Sequence, residues 1–174
     1  CEIRLNADLD FLGVENVMPI GLQSEELIEF KGTFNGNGHT IRNLQIINPN
    51  GVSGMFANLG GIIKNLRLEN CDFEGNICGA LTAQSMVNAV VLNCDLDART
   101  TGETHGTVAG KFFGYIFNCV VTGEQIVGEL HTGWVEQCYY KNEGEYILAD
   151  GEEERIDAET AKSNLNANLS RSSA

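Results

Sequence analysis

The sequence predicts an all-β fold, a single-stranded parallel β-helix of stacked coils closed by a short C-terminal helix, and three observations carry that prediction. A six-residue pattern recurs as Ile41-Arg42-Asn43-Leu44-Gln45-Ile46, Ile63-Lys64-Asn65-Leu66-Arg67-Leu68, Val91-Leu92-Asn93-Cys94-Asp95-Leu96 and Ile116-Phe117-Asn118-Cys119-Val120-Val121, with a degenerate copy around Gln137. Its amide-bearing residue returns after 22, 28, 25 and 19 residues, the range of repeat periods that signals a solenoid. Small-residue corners precede the copies at Gly54-Met55-Phe56-Ala57, Gly79-Ala80-Leu81-Thr82 and Gly106-Thr107-Val108-Ala109.

The hexamer carries its own geometry. Ile41 and Leu44 are three apart while Leu44 and Ile46 are two apart, so a flat strand cannot turn all three to one face. A bend at the asparagine resolves this, because Asn tolerates the left-handed conformation that branched residues avoid. Asn43, Asn65, Asn93 and Asn118 are therefore expected at equivalent bends. Amide-to-amide pairing from coil to coil would satisfy groups whose burial otherwise costs about 1–3 kcal/mol each. Leu44, Leu66, Cys94, Cys119 and Cys138 are expected to stack inside, with Phe56, Leu81 and Val108 inward from the corners.

Residues 1–40 read as an entry and capping segment, 41–140 as the repeats and 141–174 as a polar tail with the capping helix, all within one structural domain. In the entry, Pro19 marks a strand end or an edge. Phe34-Asn35-Gly36-Asn37-Gly38-His39 holds two Asn-Gly pairs, a turn signal resting on the freedom of glycine at positive φ. No helical pattern follows it, so a phosphate cradle has no physical basis there. In the tail, Asp157 is a suitable N-cap for a helix bearing Ala158, Ala161, Leu165 and Leu169 on one face. A stack of coils leaves open ends, and such a helix would cover one.

At this point the motifs can be compared with a family. Met18-Pro19-Ile20-Gly21, the run from Phe30 to Leu44, Gly54-Met55-Phe56-Ala57 and Ile63-Lys64-Asn65-Leu66 resemble the bacterial GLUG-motif repeat proteins over roughly residues 18–140. Those are surface proteins, adhesins and non-catalytic regions of immunoglobulin A peptidases. The resemblance implies a right-handed β-helix and an extracellular setting, secreted or at the bacterial cell surface. The glycine pair opening each family repeat is reduced here to Gly79-Ala80, Gly106-Thr107 and a lone Gly133. The family motif is structural and transfers no catalytic residue.

Charge narrows the partners. Eleven Lys and Arg against 24 Asp and Glu leave a net charge of −13, which disfavours nucleic acid and anionic membranes. No apolar run reaches the roughly 18 residues of a transmembrane helix. A chain opening at Cys1 matches where a lipoprotein with a lipid anchor begins; a boundary falling on a cysteine accounts for it equally well. Cys71 and Cys78 flank a Glu-Gly-Asn turn, and the six cysteines show neither a disulfide framework nor a zinc knuckle.

Chemistry is harder to place. Gly102-Glu103-Thr104-His105 and Gly128-Glu129-Leu130-His131 lie 26 residues apart, about one coil, so Glu103, His105, Glu129 and His131 form a candidate metal site for zinc. Spacing alone fixes neither direction nor distance, and the simpler reading of the four is as polar turns of a repeat. Calcium is a second candidate, through Asp95, Asp97 or Glu152 to Glu154, and otherwise no cofactor is expected. A polysaccharide-acting enzyme on this fold would need paired carboxylates on one outward face, for which Asp95 and Asp97 beside Arg99, with Arg67 a coil earlier, are the nearest match. The leading expectation is a non-enzymatic module, for adhesion, ligand binding or spacing, as a monomer or a segment of a larger protein. Its partner would be a host protein or glycan, held on an outward face that includes Arg42, Gln45, Lys64, Tyr139 and Lys141. Aromatic residues gather late in the chain, where Trp134 is expected to pack rather than bind.

Overall fold

The computed structural model describes residues 1–24, 26–123, 125–142, 145–148 and 155–156. It is a parallel β-solenoid with three sheets running along its length. The first sheet has six strands in the order Glu2–Arg4, Thr33–Asn35, Ile62–Lys64, Val90–Leu92, Tyr115–Phe117 and Trp134–Glu136. The second stacks Leu9–Asp10, Thr40–Arg42, Arg67–Gly79, Asp95–Thr101, Val120–Thr122 and Tyr139–Asn142. The third stacks Glu29–Phe30, Phe56–Leu59, Thr82–Ser85, Ala109–Phe112 and Val127–Leu130. Every pair along these stacks is parallel.

Register places like on like. On the first sheet Ile3, Phe34, Ile63, Val91, Ile116 and Val135 are successive partners. On the second, Leu9, Ile41, Leu68, Leu96, Val121 and Tyr140 are. From Phe34 to Ile116 and from Ile41 to Val121 these columns are buried, so each coil completes an apolar core that no coil could close alone. The coils also start earlier than residue 41: strands at Glu2–Arg4 and Leu9–Asp10 already occupy rungs of two sheets. The entry segment departs from the stack at Leu22–Gln23 and Glu26–Leu27, which pair antiparallel, after Ile20 has bridged to Phe56.

The turn expected at the Asn-Gly pairs is a coil corner. Asn37 and Gly38 both hold positive φ, at 55° and 78°, and the His39 amide closes the turn onto the Gly36 carbonyl at 2.8 Å.

Between the second and third sheets the coils carry an extension. Gln45–Ser53 pairs with the distal part of Arg67–Gly79, which in turn pairs with Ala98 to Thr101 and with Thr104–Gly106. There is no turn at Glu74-Gly75-Asn76: Cys71 and Cys78 lie on one long, bulged strand, and both are buried. The extension folds back so tightly that a Cβ on Gly110 would sit 2.7 Å from Ile77 Cγ2. Phe56, Leu81 and Val108 are buried as expected, and Met55, Ala80 and Thr107 are buried beside them, because the corner is enclosed from both sides.

Coil length falls along the chain. From Phe34 to Ile63, Val91, Ile116 and Val135 the steps are 29, 28, 25 and 19 residues. The last step is short because no extension follows Val120–Thr122; the chain passes to Val127–Leu130 instead. Beyond Tyr139–Asn142 the strands Glu145–Leu148 and Arg155–Ile156 add antiparallel to the second sheet and cover its last parallel edge. The expected helix from Asp157 lies outside the described residues; among those, every regular element is a strand.

Candidate functional site

The asparagine corners are the most regular polar feature. Asn43, Asn65, Asn93 and Asn118 all take positive φ, between 53° and 58°, as do Asn70 at 53° and Gln137 at 49°. Each bend turns the following residue inward: Leu44, Leu66, Cys94, Cys119 and Cys138 are all buried. Asn118 donates to Asn93, Asn93 to Asn65 and Asn65 to Asn35, at 2.9, 3.3 and 3.2 Å. Asn43 stands outside that row, at the next corner, where Asn70 donates to it at 2.7 Å and it donates to Asp10 at 2.8 Å. Two corners of one coil share a local pattern, strand, left-handed Asn, strand, and the hexamer does not distinguish them. Asn35, which precedes the Gly36 turn instead of forming a bend itself, takes the place Asn43 was expected to hold.

The cysteines belong to the same corners. Cys94, Cys119 and Cys138 donate weakly to the carbonyls of Leu92, Phe117 and Glu136, each two residues back, at 3.3, 3.4 and 3.2 Å. A thiol therefore spans the bend and adds a second, weak donor to a carbonyl that already accepts the N–H of the corresponding Asn one coil earlier. All six cysteines are free thiols. Burial raises Cys71 and Cys119 above the ordinary thiol range and pushes Cys78 up to about 11.

The candidate metal set is not gathered around one point. Glu129 faces Lys111 in register, not Glu103, while His105 faces Cys78. A 26-residue spacing equals a coil only where coils keep that length, and here the chain has already lost its extension. Glu129 Oε2 lies 3.1 Å from His131 Nε2 and 3.7 Å from Lys111 Nζ, and Thr104 donates to its other oxygen at 3.2 Å. His131 stacks on Phe113 with centroids 4.5 Å apart. His105 Nδ1 is buried with no hydrogen-bond partner among the described residues, and Glu103 is exposed. Among the described residues no three His, Cys, Asp or Glu side chains are placed to hold a metal ion.

Asp95 and Asp97 lie two apart on one strand, but the arginine expected beside them is engaged elsewhere. Arg99 makes a two-pronged contact with Asp72, one coil earlier, at 2.6 and 3.0 Å, and so does not serve Asp97. Asp97 Oδ2 instead accepts the Asn70 amide at 3.4 Å. A cavity of about 460 Å³ opens beside this strand where the extension ends, lined by Asp97, Arg99, His105 and Gln125 among others.

His39 is a structural residue. Its Nδ1 meets Asp8 at 3.1 Å, and the same carboxylate accepts from the Thr40 amide at 3.0 Å and from Arg42 at 3.0 Å. Those bonds, the Thr40 amide first, lower Asp8 to about 2. The Asn43 amide and then the Leu12 N–H hold Asp10 below its ordinary value.

Trp134 does not pack. It is 67% exposed, beside a cavity of about 490 Å³ shared with Val87, Phe113 and Tyr115. The expectation that it packs fails because its strand turns it to the outward side of the first sheet, beside Tyr115 in register. Its neighbour in register, Tyr115, donates its hydroxyl to Glu136 at 2.9 Å.

No family model matches this chain, and no curated relative matches it. Among solved structures it is similar to a Bacteroides ovatus protein proposed as an immunoglobulin A1 protease, with a TM-score of 0.70 at 20% identity over 81% of this chain. The match spans 50% of that protein's chain, so what the two share is the coil architecture of one half of it.

Proposed function

We propose that this chain is a non-enzymatic extracellular module of a bacterial surface protein that presents an outer face to a ligand. The observation that carries the reading is a contrast between inside and outside. The inward column Phe34, Ile63, Val91, Ile116 is apolar in every coil, whereas the outward column beside it runs Lys64, Leu92, Phe117, Glu136. A scaffold needs only its interior to be regular, while a catalytic centre needs a supported cluster of acid, base or nucleophile. The bidentate contact of Arg99 with Asp72 closes on itself along the sheet. The likeness of the sequence to GLUG-motif repeats supports a non-catalytic region of a larger surface protein, and the name of the similar solved structure supports an extracellular setting.

The test is turnover. Purified protein is incubated with pectin, xylan, chitin and β-glucan, and separately with immunoglobulin A1. The expected result is no release of reducing ends and no cleavage, with calcium or zinc added or withheld. Product formation that scales with protein concentration would sink the reading.

A further inference from the structure

From the exposed aromatic face we infer a binding site for an uncharged sugar ring, with Trp134 and Tyr115 as its stacking platform. The inference rests on the ligand-presenting reading above and names the ligand class and the place. Ile62, Val90, Tyr115 and Trp134 are successive partners on the outward side of the first sheet. Rungs about 4.8 Å apart set the two rings side by side. An indole left 67% exposed beside Val87, itself 68% exposed, keeps a large apolar surface uncovered among the described residues.

The rings are held ready. Tyr115 is tied through its hydroxyl to Glu136 and stacks on Phe117, with centroids 6.1 Å apart and planes at 11°. Phe113 forms the far wall and is fixed by its stack on His131, with planes at 9°. The floor is bare backbone: Gly133 lies at φ +99°, and a Cβ there would fall 1.7 Å from the Gly114 carbonyl oxygen. A Cβ on Gly114 would likewise strike the Ala89 carbonyl, so glycine at both positions is what lets the coils stack closely beneath the aromatic side chains.

Ligand class follows from what surrounds the platform. A pyranose has an apolar C–H face that suits an aromatic ring and a rim of hydroxyl donors. Glu136 shares the outward side of its strand with Trp134, so a carboxylate acceptor lies at the edge of the platform. The net charge of −13 disfavours a sialylated or sulfated ligand. A cavity of about 490 Å³ falls in the small-ligand range of about 300–1,000 Å³. A protein partner would bury about 1,200–2,000 Å², and Glu136 sets a charge beside Tyr115 at the edge of this patch.

Trp134 is the only tryptophan in the chain, so its fluorescence reports on this site alone. The experiment titrates the full chain with cellotetraose, xylotetraose, mannotetraose and chitotetraose, with sialyllactose as the anionic comparison, following fluorescence and binding heat. The expected result is saturable binding of at least one neutral tetrasaccharide and none of sialyllactose. Trp134→Ala should then weaken binding by about tenfold or more, and Trp134→Phe by less. Tyr115→Ala should weaken it too, at an unchanged melting temperature for the Trp134 variants. No binding by any neutral sugar, or equal binding by Trp134→Ala, would overturn the site. Self-association abolished by Trp134→Ala would overturn it in favour of a second copy. Binding that survives Trp134→Ala would leave the ligand-presenting reading intact, whereas released reducing ends would remove that reading itself.

Discussion

Asn118 donates its side-chain amide to Asn93 Oδ1 at 2.9 Å, while Asn93 donates its own to Asn65 at 3.3 Å. Asn93 is thus both acceptor and donor, on a backbone at φ 53°. Asn93→Ala removes both bonds and places a Cβ residue with no compensating amide in the left-handed region. We expect a loss of about 2–4 kcal/mol, against less than about 0.5 kcal/mol for Gln45→Ala on the exposed outer face. Asn93→Gly keeps the backbone relaxed and loses only the bonds, so its cost should fall between the two. Denaturant melts that rank the three variants otherwise would count against the amide row.

Acid should loosen the first coils through Asp8. Its carboxyl is lowered from 3.8 to about 2, chiefly by the Thr40 amide and then Arg42 and His39. A depressed carboxyl stabilises the fold above its unfolded value and loses that contribution as pH falls through the folded one, here between 3.8 and about 2. Asp8→Asn should be less stable than the wild type at neutral pH, and the gap should narrow across that window. A gap in melting temperature that stays constant from pH 6 to about 2 would show that the charge is not responsible.

Thiol chemistry offers a simple count. Cys1 is exposed, and Cys71, Cys78, Cys94, Cys119 and Cys138 are buried. Burial raises Cys78 to about 11 and raises Cys71 and Cys119 as well, so little thiolate is present at neutral pH. Native protein should take up one maleimide rapidly and all six only in denaturant, as read by intact mass. Rapid labelling of several sites in the native state would contradict the buried corners.

The extension should matter to stability as much as the sheets do. Phe73 is fully buried on it, between Ile46 and Thr100 in register. Phe73→Ala should cost about 3–5 kcal/mol, comparable with Phe112→Ala on the third sheet. A loss below about 1 kcal/mol, measured by denaturant unfolding, would mean that the extension is only loosely attached.

The sequence by itself determined the parallel coils, the left-handed asparagine bends and the burial of the residue after each bend, because these are local. A bend at Asn and apolar residues at fixed offsets are set within six positions, and every coil repeats them. What only the tertiary structure decided is the pairing between coils. Asn43 has the same neighbours as Asn65 but occupies another corner, since the stack pairs it with Asn70 of the next coil and pairs Asn65 with Asn35. Glu103, His105, Glu129 and His131 repeat at 26 residues in the sequence, yet the coil there spans 19, so Glu129 meets Lys111 instead. Trp134 is expected to pack because it is a large apolar residue, while its exposure is decided by the register that turns it outward. Register and cover are properties of chain segments far apart in sequence, and a single copy of a repeat contains neither.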